Sequence, residues 1–300
     1  MSVKFRKYIN DLIYGNDYYK TRNFLIELKN HNYHYGRWDW MISNLSAYWT
    51  DPEGINRIGI WEENEKIIAI AAYDSSLGKA FLLTLNGYEY LKNEMLEYAK
   101  TNLSKNGKFS VCIFDDDKEM QNIAYKNNFF PTQNKEYDSV YLIEKTDYFL
   151  PDGFKIISLK ENFDLYKYGQ VLWKGFNHEI NGEGPFDFFY KKNMKYYESV
   201  FEGPNVNLNL KIAVMAPNGN FVSYCGMWYD KNSEDALVEP VATDPAYRKM
   251  GLGKAAVLEG IKHCGELGAR RAFVCSSQQF YYNIGFRPYT TSTCWEEKMI

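Results

Sequence analysis

The two halves of this 300-residue chain repeat one order of elements, and that repeat limits the fold more than any other feature. Residues 17–29 (DYYKTRNFLIELK) space their apolar positions as a helix does, and 58–73 (IGIWEENEKIIAIAAY) reads as two strands about a Glu-Asn-Glu turn. A buried strand at 80–85, a helix at 88–104, a strand at 109–114, a helix at 118–128 and an extended run at 137–145 complete the first half. The second half follows with a strand at 154–159, helical text at 163–180 and 186–200, and strands at 211–216 and 221–229 around Asn218-Gly219-Asn220. A strand at 236–243, a long helix from about 251, a strand at 271–275, a helix at 277–284 and a last extended run close it. Asp74 and Asp230, Tyr125 and Tyr281, and Phe130 and Phe286 share one offset of 156 positions. Matching order and a shared offset predict a duplicated α/β unit, with domains 1–150 and 151–300 and turn chemistry at Leu150-Pro151-Asp152-Gly153.

The halves differ at one place. From Leu85 to the strand at Phe109 is 24 positions, whereas from Val241 to Phe273 is 32. The first half has only Asn86-Gly87-Tyr88-Glu89-Tyr90 there, with one glycine and no arginine. The second has 237-LVEPVATDPAYRKMGLGKAAVLEGI-261, in which Glu239 and Pro240 interrupt a strand and predict a bulge or an edge. The helix beyond Gly253 is amphipathic, with Ala256, Val257, Gly260, Ile261, Cys264, Leu267 and Gly268 opposite Lys254, Glu259, Lys262 and Glu266. Between strand and helix, Arg248, Lys249, Met250, Gly251, Leu252, Gly253 and Lys254 present free amides, two positions without Cβ, and three cations. Such a helix entrance suits an anion, because oriented amides and the helix dipole both favour negative charge. A plain connecting loop, with glycines for close packing and lysines for solubility, is the other reading of the same residues.

A Walker A loop is excluded: Arg248 stands where its first glycine belongs, and Ala255 where its Ser or Thr belongs. Gly251-Leu-Gly253-x-x-Ala256 has the spacing of a dinucleotide fingerprint, but Ser276-Ser277 replaces the acidic residue at the next strand end. The chain that follows is also too short for a doubly wound sheet. A net charge of -3, with no basic block, argues against a nucleic-acid surface and for a small-molecule partner. The five cysteines form no CxxC pair and are expected as reduced thiols in a cytoplasm. Four histidines, among them His31 and His34 in an aromatic, loop-like stretch, form no ligand cluster, so no metal is expected. No run of 18 apolar residues predicts a membrane span, and MSVKFRKYINDLIYG lacks the apolar core of a signal peptide.

Arg248-Lys-Met-Gly251-Leu-Gly253, following a strand and Asp244-Pro245, resembles the Q/R-x-x-G-x-G/A motif of the GNAT superfamily of acyl-CoA-dependent N-acetyltransferases. Phe280-Tyr281-Tyr-Asn-Ile-Gly285-Phe286 is similar to that family's Leu-Tyr-x-x-x-Gly-Phe segment. The likeness covers roughly residues 212–298; the first half matches in element order and in Tyr125-x-x-x-Phe129-Phe130, with the glycine lost. The chain therefore looks like a tandem GNAT with a degenerate N-terminal copy, each unit a mixed, mostly antiparallel sheet flanked by helices.

The resemblance implies that amides from Arg248 through Lys254 hold the diphosphate of acetyl-CoA, and that the backbone of Val241, Ala242 and Thr243 pairs with its pantetheine arm. It implies Tyr281 as the acid that protonates the leaving thiolate. Glu239 is the candidate base, directly or through water, with a carboxylate turned to solvent as the alternative. An alkyl amine of pKa ~10.4 is neutral in only about one part in a thousand at pH 7, which is the task such a base addresses. Cys275 and Gln278 depart from the Asn and Ala that many relatives carry there. The acceptor is expected where 173-WKGFNHEINGEGPF-186 meets the strands, with Glu179 and Glu183 drawing in a cationic amine and Trp228 nearby. The implied activity is acetyl transfer to a small-molecule amine by a monomer or homodimer; the rival is an acyl-CoA-binding module without catalysis. The acyl-chain preference and the acceptor stay open.

Overall fold

A computed structural model describes residues 2–47, 50–144, 146–190 and 196–298. Contacts divide the chain into two units: residues 1–139, 275–277 and 288–300 form unit 1, and residues 140–274 and 278–287 form unit 2.

The elements contributed by the first half are β1 (Lys4–Lys7), α1 (Asn16–Leu28), α2 (Tyr35–Ser43), β2 (Gly59–Glu63), β3 (Lys66–Asp74), β4 (Ser76–Thr84), α3 (Lys92–Asn102), β5 (Ser110–Phe114), α4 (Lys118–Lys126) and β6 (Phe129–Leu142). The run KIIAIAAY forms β3 because it is apolar on both faces, and its seven residues Ile67–Tyr73 are all buried. Asn64 and Glu65, both at positive φ, make the two-residue hairpin that the Glu-Asn-Glu text predicts. Asp117 caps α4 through the Met120 amide.

Sequence reading missed α2 by taking the stretch around His34 as a loop. Its aromatic residues are ordinary helix formers at best, but Trp38, Met41 and Ile42 fall at i, i+3 and i+4 and are buried. Asp39 of α2 accepts from Tyr18 Oη at 2.5 Å and from Arg22 Nε at 2.9 Å on α1. Core burial and a satisfied buried ion pair thus override weak local propensity. The expected strand at 137–145 is instead the long β6, which starts at Phe129.

The second half supplies β7 (Lys155–Ser158), α5 (Leu165–Gly175), β8 (Lys211–Met215), β9 (Phe221–Trp228), β10 (Asp235–Thr243), α6 (Leu252–Glu266), β11 (Arg271–Cys275), α7 (Gln279–Asn283) and β12 (Arg287–Glu297). Of the helix expected over 186–200, residues 191–195 lie outside the described residues and 196–199 are helical. Helix α5 ends at Gly175, earlier than position 180, because the chain there turns through Asn177 at φ 66°.

Both units use the same pairing scheme. In unit 1, β1, β2, β3 and β4 run antiparallel in that order and β4 pairs β5 in parallel. In unit 2, β7, β8, β9 and β10 run antiparallel and β10 pairs β11 in parallel. The closing strands are exchanged. β12 lies antiparallel on β5, from Ser292↔Phe114 to Glu296↔Ser110, within unit 1. The chain leaving β6 runs beside β11 within unit 2, where the Ile143 amide donates to Arg270 O at 2.9 Å.

Candidate acyl-CoA site

The parallel pairing of β10 with β11 covers only Asp235↔Arg271, Ala236↔Ala272 and Leu237↔Phe273. Beyond it β10 bulges at Glu239-Pro240, a cis peptide, and resumes its antiparallel pairing with β9 at Val241↔Cys225. Gly226 sits opposite the bulge; a Cβ there would lie 2.5 Å from Glu239 O, so only glycine lets the two strands close on it. From Val241 to Thr243 the strand therefore has β9 on one side and a cleft on the other. That cleft measures about 890 Å³ and is lined by Val241, Ala242 and Thr243, by Arg248, Lys249, Gly251, Leu252, Gly253 and Lys254, and by Tyr281.

Helix α6 begins at Leu252 with Gly251 at its N-cap, φ 82°, and no side chain caps it. The first-turn amides thus lack the intrahelical partner and the capping oxygen that usually satisfy them. Lys249, at φ 65°, turns the preceding backbone the same way. Gly253 serves packing: a Cβ would meet Thr243 Oγ1 at 3.0 Å and the Phe280 ring at 3.3 Å. Arg248 does not point its charge at the cradle. Its Nη2 donates to Gly175 O at 2.8 Å and to Asn177 Oδ1 at 2.7 Å, and its Nε to Thr243 O at 3.2 Å, so the guanidinium ties the loop to the end of α5. All three cations expected at the entrance are exposed, but Arg248 is held by the end of α5, which leaves Lys249 and Lys254 to face an anion there. Met250 is also exposed but does not line the cleft.

Tyr281 is buried in α7, with its ring edge-on to Phe280 at 5.0 Å and to Phe286 at 5.4 Å. Burial first, and then the charges of Cys225 and Glu239, push its phenol well above the usual range, so it carries its proton at any ordinary pH. Glu239, half-buried at the bulge, is near enough for its charge to act on Tyr281, although it is not among the cleft-lining residues. Trp228 is buried: its Nε1 donates to Glu239 O at 2.9 Å, and the Lys211 ammonium lies 3.6 Å from its ring centroid. Glu179 and Glu183 are exposed. Glu183 bonds His178 Nδ1 at 2.8 Å, and His178 stacks on Trp173 at 4.2 Å.

The cleft is completed by Gly175, Phe176 and Asn177 from the stretch 173–186 expected at the acceptor, by Gln278, Phe280, Asn283 and Ile284 around the second motif, and by Tyr247, which the sequence did not single out. Gly175 was the available signal: a Cβ there would stand 2.7 Å from Ala242 Cβ and 2.8 Å from Thr243 N, so a glycine at the end of α5 marks close approach to β10.

Unit 1 has a counterpart of different character. Beyond Phe81↔Cys112, β4 and β5 border a pocket of only about 170 Å³. Lys92 Nζ lies there at 2.9 Å from Asp117 and 3.4 Å from Glu119, so its positive charge is already neutralised. The aromatic repeat is also one residue out of step. Tyr281 and Phe286 are buried, but Tyr125 and Phe130 are exposed; the buried pair in unit 1 is Ala124 and Phe129.

Among the described residues no group of three or more His, Cys, Asp or Glu is placed to hold a metal, and no helix is long and apolar enough to cross a membrane. Residues 178–286 match the family described as Acetyltransferase (GNAT) family. A search of the curated proteins finds no match. Among solved structures, a GCN5-related N-acetyltransferase from Sphaerobacter thermophilus is 11% identical, with 99% of this chain and 96% of that one covered and a TM-score of 0.56. A tandem GNAT protein from the clavulanic acid biosynthesis pathway is 11% identical over the full length of both chains, with a TM-score of 0.58. Saccharomyces cerevisiae N-myristoyltransferase, solved with myristoyl-CoA, is 11% identical over 99% of this chain and 80% of that one, with a TM-score of 0.55. The chain thus has the GNAT fold along its whole length, and its residues 178–286 match the GNAT acetyltransferase family.

Proposed function

We propose that unit 2 transfers an acetyl group from acetyl-CoA to the amine of a small acceptor. The observation that carries this reading is the juxtaposition, in one cleft, of an uncapped helix entrance, a strand edge opened by a bulge and a buried, protonated phenol. The residues fit the cofactor: the amides of 249–254, with Lys249 and Lys254, suit a diphosphate, and the open backbone of Val241–Thr243 suits an amide-bearing arm laid alongside as a strand. When bound, acetyl-CoA supplies the acetyl group already activated as a thioester.

The chain's own residues then have separable tasks. Tyr281 holds its proton until a thiolate forms beside it, and donates from the phenol oxygen; contact offsets its being the weaker acid. Glu239 accepts the proton of the incoming ammonium, directly or through a water. The bulge that Gly226 permits aims the Glu239 carbonyl at Trp228, and the residue is half-buried there. Glu179 and Glu183, on the loop after α5, add negative charge for a cationic acceptor. Unit 1 is left out of this assignment, because Lys92 at its smaller pocket is already paired with Asp117 and Glu119.

The test is calorimetry with acetyl-CoA, followed by release of the CoA thiol over a panel of amines. Wild type is expected to bind and to turn over at least one amine. Tyr281→Phe, which keeps the ring between Phe280 and Phe286, is expected to bind equally and to lose about 10²- to 10⁴-fold in kcat. Binding without transfer to any amine would favour the non-catalytic acyl-CoA module; no binding would sink both readings.

A further inference from the structure

Cys112 on β5 and Cys294 on β12 are direct cross-strand partners. The Asp115 amide donates to Thr291 O at 2.9 Å, which marks 115 and 291 as a hydrogen-bonded pair of the antiparallel ladder. Pairs alternate along such a ladder, so 113 with 293 is hydrogen-bonded and 112 with 294 is not. The Cys294 carbonyl agrees, since it turns the other way to accept from Thr132 Oγ1 of β6 at 2.9 Å. Non-hydrogen-bonded partners bring their Cα atoms to about 4.5 Å with side chains on one face, which falls inside the span a disulfide bridges. The two thiols are near enough for each to act on the acidity of the other.

We propose that Cys112 and Cys294 form a reversible disulfide that staples β12 to β5. The surroundings favour reaction over inert packing. Cys294 is buried, but its partner Cys112 is partly exposed and lines the 170 Å³ pocket of unit 1, which gives a small oxidant a route to the pair. Lys79 and Glu136 form an ion pair beside the sulfurs, and the Cys112 Sγ lies 3.7 Å from Glu136. Cys112 beside it, and then the Lys79 charge, lower the Cys294 thiol against the opposing effect of burial, so of the two sulfurs it is the one that ionises first.

With hydrogen peroxide as the oxidant, the Cys294 thiolate attacks one oxygen and the O–O bond breaks. Hydroxide leaves, takes the Cys112 proton and becomes water. The Cys112 thiolate then attacks the sulfenic sulfur; the S–O bond breaks, and the second hydroxide takes a proton from solvent and becomes water. Two sulfurs are oxidised by one electron each, and one peroxide is reduced to two waters. The bond would close a loop from position 112 to position 294, long enough for a large effect on the unfolded chain.

The test is peroxide treatment of the full chain, followed by thiol counting in denaturant and peptide mapping. Titratable thiols are expected to fall from five to three. Tryptic peptides 109–118 and 272–298 should appear linked, with fragmentation placing the bond at Cys294 and not at Cys275. The melting temperature should rise by roughly 5–10 °C, reversibly with dithiothreitol. Cys275→Ser should leave all of this intact, and Cys112→Ser should abolish the link and the rise. Five thiols after treatment, a bond at Cys275, or sulfinic acid at either residue without a link would each overturn the proposal. Since the wild-type mapping suffices for those outcomes, a variant that folds poorly does not blunt the test.

Discussion

Gly251 and Gly219 provide a matched pair for separating fold from ligand. Their φ angles are 82° and 84°, and a Cβ at either would meet nothing within 4 Å. Replacement by alanine therefore acts at both sites through backbone strain alone. A left-handed alanine costs roughly 1–2 kcal/mol, and the stiffer unfolded chain returns about 0.4–1 kcal/mol, so each variant should lose on the order of 1 kcal/mol of stability. Both lie in unit 2, so one urea titration followed by fluorescence reads them alike. They should part company in calorimetry with acetyl-CoA. Gly219 sits in the β8–β9 turn, whereas Gly251 sets the direction of the first amides of α6. Losing one hydrogen bond to a charged phosphate costs ~1.5–3 kcal/mol, so Gly251→Ala should weaken binding about 10- to 150-fold and Gly219→Ala should not change it. Equal affinities for the two variants would refute the assignment of the α6 entrance as the diphosphate cradle.

Two further perturbations test charge placement. Arg248→Lys keeps the charge but loses the fork to Gly175 O and Asn177 Oδ1; it should weaken acetyl-CoA binding about tenfold, as much as Arg248→Gln, and a wild-type affinity for the lysine variant would show the arginine acting as a simple phosphate counter-charge. Asp138 has its carboxyl pushed up to about 6, chiefly by burial, with Glu136 adding to the rise while Thr290, Arg37 and Cys275 oppose it. Its folded form holds a proton that the unfolded chain has released, so its contribution is full below about pH 4, falls as the pH rises to about 6 and is lost above it, by roughly 2–3 kcal/mol. Asp138→Asn should flatten that part of the stability curve in urea titrations at pH 4 to 7, and an unaltered slope would rule the residue out.

Local text gave the repeated element order because strands such as β3 and helices such as α4 announce themselves by burial pattern and cap. It failed where tertiary contact decides. The helix α2 owes its existence to burial of Trp38 and to Asp39 meeting Arg22, which neighbouring residues do not foretell. The glycines of the α6 entrance were legible because φ and close approach restrict residue type. Two of the three partners of Arg248 lie 71 and 73 positions away in sequence, and no spacing rule reaches them. The offset of 156 put Tyr125 opposite Tyr281, yet burial aligns Ala124 there. An approximate repeat fixes elements well and individual faces poorly, since one residue of slippage on a short helix turns a side chain from core to solvent.

The exchanged closing strands also dictate an order of events during synthesis. The sheet of unit 1 pairs β5 with β12, so residues 110–114 must wait for residues 292–296 before their ladder is complete. A chain growing from its N-terminus at ~5–20 residues per second leaves that strand edge unpaired for roughly 10–40 s. Exposed edges invite pairing with other chains, so the nascent first half is the stage at which this protein most needs a chaperone.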